Sequence, residues 1–174
     1  MSDPRWWLLD DLVLARSAID RAAERRTDQA WVDDARVDPS SRFVRVHQGT
    51  AAIDGDRLAL DASVPEHVLT SLLGIDADGV AYFCAHYDEA PALADSHRWA
   101  DLRMSGSSLD AMDAGLMVAS VALDNWSRNH RHCPQCGGGV TWRDAGWSRY
   151  CPVDHSSHLP RTDPAATAPL RGDD

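Results

Sequence analysis

The feature that most constrains this chain is a pair of short cysteine-containing turns in its last third. The first turn is CPQCG at residues 133–137, and the second is CPVDH at residues 151–155. Two Cys-x-x-Cys pairs at this separation are typical of a tetrahedral zinc site that holds two turns together. In the second turn, Asp154 stands where the fourth cysteine would be. The pattern therefore predicts a small metal-held unit in which one ligand position has changed.

Structural zinc prefers deprotonated cysteine and histidine ligands, and a carboxylate can also bind it. The predicted ligand set is Cys133, Cys136, Cys151 and Asp154. His155 or His158 is an alternative fourth ligand, because imidazole binds zinc better than a carboxylate does. The competing hypothesis is a unit that has lost its metal and is held together by Trp142, Trp147 and Tyr150. A bound zinc would be structural, since three thiolates leave no useful open position.

Composition limits the other functions that the chain can have. The formal net charge is −10, and all 17 basic residues are arginines. Such an acidic surface repels phosphate backbones, so nucleic-acid binding is not expected. The sequence contains no apolar run long enough to span a membrane and no signal peptide, which makes the cytoplasm the expected location. Four cysteines in that compartment indicate metal binding or free thiols rather than disulfides.

Alternating and turn-forming segments predict several strands. Residues 42–47 alternate between apolar and polar side chains, which is typical of a half-buried strand. Asp54 and Gly55 separate two short apolar segments, and Asp78 and Gly79 separate two more, so both pairs predict hairpins. Cys84 lies in the second of these hairpins and is interpreted as a buried small hydrophobe rather than a reactive thiol.

Two segments predict helices. Residues 12–26 have helical composition with a weak apolar stripe. Residues 109–128 predict a stronger helix, which Ser107 or Ser108 would cap. The apolar stripe of this second helix consists of Met112, Leu116, Ala119, Leu123 and Trp126. Strands and helices together predict an α+β domain that precedes the cysteine segment.

Five segments of the chain belong together as a set of motifs. They are residues 15–21 (ARSAIDR), 73–83 (LGIDADGVAYF), 113–126 (DAGLMVASVALDNW), 132–137 (HCPQCG) and 160–165 (PRTDPA). Taken together, they resemble the NADH pyrophosphatases, or NAD(+) diphosphatases, of the Nudix hydrolase superfamily. The last two are the most specific. The order and spacing of the segments make the resemblance extend over nearly the whole chain.

The resemblance implies a degenerate Nudix-like α+β domain followed by a zinc ribbon and then a catalytic Nudix domain. We expect the Nudix-like domain at residues 1–127, the ribbon at 128–165, and a tail at the border of an absent catalytic domain at 166–174. Members hydrolyse NAD(H) to nicotinamide mononucleotide and AMP. The resemblance also implies a homodimer.

The family's catalytic box, G-x5-E-x7-R-E-U-x-E-E-x-G-U, is not found in this sequence. Its clustered glutamates hold Mg²⁺ or Mn²⁺, whereas this sequence has no glutamate after Glu89. We therefore assign no catalytic residue, expect neither of these ions here, and predict that the chain alone does not hydrolyse NAD(H). A separate chain that carries the catalytic Nudix domain is an expected partner.

Two other functions compete with this interpretation. The first is a free-standing zinc-ribbon adaptor that uses exposed Trp142 and Trp147 to bind a protein or nucleotide partner. The second is RNA binding through a local basic face of the ribbon. That face would consist of Arg128, Arg131, Arg143, Arg149 and Arg161.

Overall fold

A mixed β-sheet organises the first part of the computed structural model, which describes residues 18–160. Within these residues the sheet contains β1 (Arg42–His47), β2 (Thr50–Asp54), β3 (Arg57–Leu58), β4 (Leu60–Asp61), β5 (Leu69–Ile75), β6 (Ala81–Tyr87) and β7 (His97–Asp101). The strand order is β3-β2-β1-β6-β5, while β4 pairs with β1 and β7 pairs with β2. β1 and β6 run parallel, and the other pairings are antiparallel.

The strand predictions are confirmed. β1 covers the predicted residues 42–47, and the two predicted hairpins are β2–β3 and β5–β6. Gly55 and Gly79 turn these hairpins with φ values of 61° and 84°, a region that glycine enters without the steric cost of a Cβ atom. Local turn chemistry therefore determined these pairings.

The predicted helix over residues 12–26 is wrong for its described part, and residues 12–17 lie outside the described residues. Asp20 pairs with Ile75 through two backbone hydrogen bonds, of 3.0 and 2.8 Å, and only a short 3₁₀ turn, Ala23–Arg25, follows. Because this pairing extends the sheet, it uses backbone groups that a helix would need. Among the described residues the first α-helix is instead α1 (Gln29–Val37), which the sequence did not predict.

The predicted second helix is confirmed as α3 (Ala111–Asn129), which follows a short helix, α2 (Leu102–Ser105). The predicted serine cap is wrong. Asp110 is the N-cap, and its carboxylate accepts a hydrogen bond of 2.8 Å from the backbone N–H of Asp113. Ser108 instead donates its hydroxyl to the carbonyl of Ser105.

The core lies on both faces of the sheet, which gives the domain three layers. α3 covers one face, where the buried side chains include Val44, Val46, Ile53, Leu73, Cys84, Leu116, Met117 and Leu123. α1 covers the opposite face, where they include Val32, Phe43, Val68, Leu72, Phe83 and Ala85. Neighbouring residues of β1 and β6 alternate between the two clusters, as the period of a strand requires. Cys84 is fully buried, as predicted, and burial raises the pKa of its thiol well above the usual value.

The cysteine segment forms a second, smaller sheet. Its strands are β8 (Thr141–Arg143), β9 (Ser148–Tyr150) and β10 (Ser157–His158), in the order β10-β9-β8. A 3₁₀ turn, Asp144–Gly146, connects β8 to β9. In the part of the chain that the structure describes, no helix has both the length and the apolar character that a membrane span needs.

Candidate metal centre

The two cysteine turns have matching backbone hydrogen bonds. The N–H of Gly137 donates to the carbonyl of Cys133 at 2.9 Å, and the N–H of His155 donates to that of Cys151 at 3.0 Å. Gly137 and His155 both have positive φ values, of 75° and 62°. A histidine with this conformation is uncommon. The second turn therefore keeps the shape of the first, although its sequence differs.

This shape brings the four predicted ligands together. One ligand atom from each of Cys133, Cys136, Cys151 and Asp154 lies within 4.8 Å of the others. The sulfurs of Cys136 and Cys151 are 3.4 Å apart, and the sulfur of Cys133 is 3.1 Å from Oδ2 of Asp154. A tetrahedron with a zinc–sulfur distance of about 2.3 Å has sulfurs separated by roughly 3.8 Å, so the cluster fits a zinc ion. All four cysteines of the chain are free thiols.

Asp154 occupies the position that a cysteine would have. In the first turn, the N–H of Gly138 donates to the sulfur of Cys136 at 3.4 Å. In the second, the N–H of Ser156 donates to Oδ1 of Asp154 at 2.9 Å, and the serine hydroxyl binds the same oxygen. Oδ2 is thereby turned toward the thiols. The two oxygens have separate tasks, since one fixes the side chain and the other faces the cluster.

The two histidine alternatives have different surroundings. Nδ1 of His155 is 2.7 Å from the hydroxyl of Tyr150, which engages that ring nitrogen. Nε2 of His158 is 3.4 Å from the sulfur of Cys133 and 2.9 Å from the hydroxyl of Ser156. His158 therefore borders the four-residue cluster. The choice of Asp154 as fourth ligand stays a prediction.

The thiol pKa values indicate the charge that the cluster would have without a cation. Burial alone would raise the pKa of Cys133, but hydrogen bonds from Ser156 and from the backbone lower it to about 7. Hydrogen bonds from Ser156 hold the pKa of Asp154 far below its usual value. The backbone N–H of Gly138 favours the thiolate of Cys136, but the thiol of Cys151, burial, Asp154 and Cys133 together outweigh it and raise the pKa of Cys136 to about 12. Without a cation, the carboxylate of Asp154 and the partly ionised thiol of Cys133 would repel each other. A divalent cation bound between them would remove this repulsion.

The tryptophans do not form the exposed surface that the adaptor hypothesis requires. Trp147 is only 7% exposed, and its indole N–H donates to the carbonyl of Leu72 in β5 at 2.6 Å. Trp142 is half-buried and lies edge-on to His86, with ring centroids 5.0 Å apart. Both side chains therefore join the ribbon to the Nudix-like domain. The prediction that they are exposed is wrong.

The predicted basic face is also not assembled. Arg149 is buried, Arg128 pairs with Asp124 at 3.1 Å, and Arg131 pairs with Asp88 at 3.0 Å. Arg143 is exposed and stacks on Tyr150. Arg161 lies outside the described residues. Since two of these charges are paired and one is buried, they present little free positive surface to RNA.

The sequence analysis missed a polar chain at the same junction. The hydroxyl of Ser71 is 2.9 Å from Nε2 of His86, and Nδ1 of His86 is 3.3 Å from Oδ1 of Asp124. This arrangement has the order of a Ser-His-Asp triad. However, Ser71 is fully buried, and a Cβ atom on Gly146 would lie 2.0 Å from its hydroxyl. No substrate can reach Ser71, so these three residues form a structural hydrogen-bond network. No local motif signals it, because β5, β6 and α3 each contribute one residue.

The fold and the cysteine cluster define an α+β Nudix-like domain followed by a zinc ribbon. Comparison with known families agrees. Residues 12–126 match the model of the NADH pyrophosphatase-like rudimentary NUDIX domain, and residues 128–158 match that of the NADH pyrophosphatase zinc ribbon domain. The chain belongs to the NADH pyrophosphatase family, as its sequence motifs had indicated.

Curated relatives carry the name NAD-capped RNA hydrolase NudC. The proteins from Mycobacterium tuberculosis (strain H37Rv) and Mycobacterium bovis (strain BCG / Pasteur 1173P2) are each 31% identical over 163 residues, which is 88% of this chain and 50% of theirs. The protein from Stutzerimonas stutzeri (strain A1501) is 30% identical over 98 residues, which is 56% of this chain and 35% of its own. The chain thus spans about half the length of the mycobacterial relatives that it matches.

Proposed function

We propose that the ribbon binds one structural zinc ion through Cys133, Cys136, Cys151 and Asp154. The observation that carries this proposal is the cluster of four ligand atoms within 4.8 Å of one another, supported by two turns of the same backbone shape. When bound, zinc would supply the cross-link between the two turns. Free thiols packed this closely suit a reducing compartment, which supports the cytoplasm as the location of the protein.

The zinc content and zinc affinity of the wild type and three variants test the ligand set. Elemental mass spectrometry of the purified wild-type protein should find one zinc ion per chain. Asp154→Cys completes four thiolates and should bind zinc more tightly in competition with a chelator. His158→Ala should keep the wild-type content. Loss of zinc in His158→Ala, together with full retention in Asp154→Ala, would instead identify His158 as the fourth ligand.

We further propose that the chain has a scaffolding role and does not itself hydrolyse NAD(H). The support is the sequence, in which no glutamate follows Glu89 and no Nudix box occurs in the 174 residues. Such hydrolysis needs clustered carboxylates that hold Mg²⁺ or Mn²⁺. The two domains would serve a catalytic Nudix domain, such as one on a separate chain, and the resemblance supports assembly as a homodimer.

An assay of the purified chain tests this role. With NADH and Mn²⁺ we expect no release of AMP or reduced nicotinamide mononucleotide, while circular dichroism shows a folded protein. Turnover that survives repurification would overturn the proposal. Sedimentation equilibrium tests the dimer separately, and a monomer across the micromolar range would contradict it.

A further inference from the structure

A cavity of about 180 Å³ lies at the junction of the Nudix-like domain and the ribbon. α3 and the residues just after it contribute Asp124, Arg128 and Arg131, while the ribbon contributes Trp142 and Arg149. This volume is smaller than the roughly 300–1,000 Å³ of a typical small-molecule site. It suits one small ionic group rather than a whole nucleotide.

Arg149 is the unusual residue of this cavity. It is only 2% exposed, and its guanidinium lies between two indole rings, 3.7 Å from the centroid of Trp142 and 4.7 Å from that of Trp126. It donates one hydrogen bond to the hydroxyl of Ser127 and one, of 3.2 Å, to the carbonyl of Ser148. Within residues 18–160 it forms no ion pair. A guanidinium has five N–H donors, so most of its donor capacity is left unused.

The other charges of the cavity are already balanced. Asp124 pairs with Arg128 and with His86, and Asp88 pairs with Arg131. Among the described residues that line the cavity, Arg149 therefore carries the one charge without a counterion. Burial lowers the pKa of Arg149 to about 10, which leaves it protonated at neutral pH. Buried charges in proteins are normally paired, and the stacked indoles compensate this one only in part.

We propose that this cavity binds a phosphate group, either inorganic phosphate or the phosphate end of a small monoester, with Arg149 as its main partner. The planar fork of an arginine matches the oxygens of phosphate. Arg128 and Arg131 hold N–H donors beyond those that bind Asp124 and Asp88. A dianion also accepts more hydrogen bonds than a carboxylate does, which favours phosphate in a cavity lined by three arginines. This site is distinct from the zinc cluster and does not depend on the proposed scaffolding role.

Binding would connect the two domains, since Arg149 belongs to β9 of the ribbon and Arg128 to α3. A ligand that binds only the folded state raises its stability. Phosphate is therefore expected to raise Tm by an amount that keeps growing with the logarithm of its concentration above Kd, in addition to a direct binding signal that saturates.

The test is calorimetric titration of the zinc-loaded chain with inorganic phosphate, glycerol phosphate and acetate at low ionic strength. We expect saturable one-to-one binding of a phosphate. Arg131→Gln removes a rim arginine whose side chain is 61% exposed, and should weaken binding by about tenfold, the typical effect of one lost charged hydrogen bond. Arg143→Gln is the matched control, because Arg143 is exposed on β8 and does not line this cavity. It should bind like the wild type.

Arg149→Met should abolish binding, and circular dichroism will show whether that variant folds. If it does not, the comparison of Arg131→Gln with Arg143→Gln still decides the proposal. Binding of inorganic phosphate as tight as that of glycerol phosphate would identify the free ion as the ligand, while tighter binding of glycerol phosphate would identify an ester. The proposal would be overturned if neither phosphate showed saturable binding, or if only acetate did. It would also be overturned if Arg131→Gln and Arg143→Gln weakened binding equally.

Discussion

The Nudix-like domain and the zinc ribbon are stabilised in different ways. The domain buries apolar side chains on both faces of its sheet, including Phe43, Phe83 and Leu116. Among the described residues after α3, the buried apolar side chains are Cys133, Trp147 and Cys151. Two of these belong to the metal cluster, and Trp147 reaches into the core of the other domain. The ribbon therefore has almost no core of its own.

This difference follows from size. A unit of fewer than about 40 residues buries too little surface to fold alone and usually needs a metal or disulfides. The ribbon compensates with the cysteine cluster and with its contacts to the Nudix-like domain. Metal removal should therefore affect the ribbon strongly, while core substitutions should affect the domain and leave zinc binding intact.

The largest effect should come from Cys151→Ser. Cys151 is fully buried in the cluster, and zinc binding contributes about 10–16 kcal/mol to the folding of zinc-finger peptides. We expect loss of zinc and rapid hydrogen exchange over residues 130–158, with slow exchange retained in β1 and β6. Cys84→Ser is the control, because Cys84 is equally buried but lies in the domain. Equal zinc loss in both variants would contradict the conclusion that the metal stabilises the ribbon and the apolar core stabilises the Nudix-like domain.

The converse substitution is Leu116→Ala. Leu116 is 1% exposed at the centre of the α3 cluster, and removing such a side chain typically costs about 2–5 kcal/mol of unfolding free energy. Urea denaturation should show this loss, while the zinc content stays at one per folded chain. Met104→Ala, at a side chain 82% exposed, should leave the unfolding free energy nearly unchanged. Zinc loss from folded Leu116→Ala would show that the ribbon depends on the core.

Sequence reasoning succeeded where local chemistry determines the structure. The Asp-Gly turns correctly predicted the two hairpins, and the spacing of Leu116 and Leu123 correctly predicted α3. The two cysteine turns correctly predicted where the cluster lies. Sequence reasoning failed where contacts between distant segments determine the structure. The pairing of Asp20 with Ile75 replaced a predicted helix, and composition alone gives no sign of it.

The junction was the least predictable part of the candidate site. The adaptor hypothesis placed Trp147 on an exposed surface and the RNA hypothesis placed Arg149 there, yet both side chains are buried. Trp147 is buried against β5, which precedes it by roughly seventy residues in sequence, and Arg149 is buried against Trp126 and Ser127 of α3. Periodicity does not encode either contact. Long-range packing, rather than local pattern, therefore determined these positions.

The junction can be broken with Gly146→Ala. Gly146 has a φ of 89°, and a Cβ atom there would lie 2.7 Å from Cβ of Ser71 and 3.0 Å from its Cα. We expect the free energy of unfolding to fall by about 2–4 kcal/mol, since backbone strain and overpacking each cost about 1–3 kcal/mol. Gly79→Ala is the matched control, with a φ of 84° and nothing within 4 Å. Equal losses in the two variants by urea denaturation would show that the contact with β5 is not tight.

The smallest effect should come from Asp124→Asn, which removes a negative charge from the lining of the junction cavity. The carboxylate accepts hydrogen bonds from the N–H of Gly49 at 2.9 Å and from Arg128 at 3.1 Å, and it faces His86. Burial alone would raise the pKa of Asp124, but His86 and Gly49 outweigh it and lower that pKa. Losing these charged hydrogen bonds should cost about 1–3 kcal/mol at neutral pH.

The dependence on pH separates this charge effect from a packing effect. A carboxyl group whose pKa is lower in the folded state stabilises that state above the usual pKa of aspartate, about 3.9, and this contribution is lost as the pH falls through the folded value. The difference in unfolding free energy between wild type and Asp124→Asn should therefore shrink below about pH 4. Asp88→Asn is the control and should leave the unfolding free energy at neutral pH nearly unchanged, because its side chain is 83% exposed. A constant difference for Asp124→Asn would mean that shape, and not charge, is what this side chain contributes to the packing of α3 against β6 and the turn at Gly49.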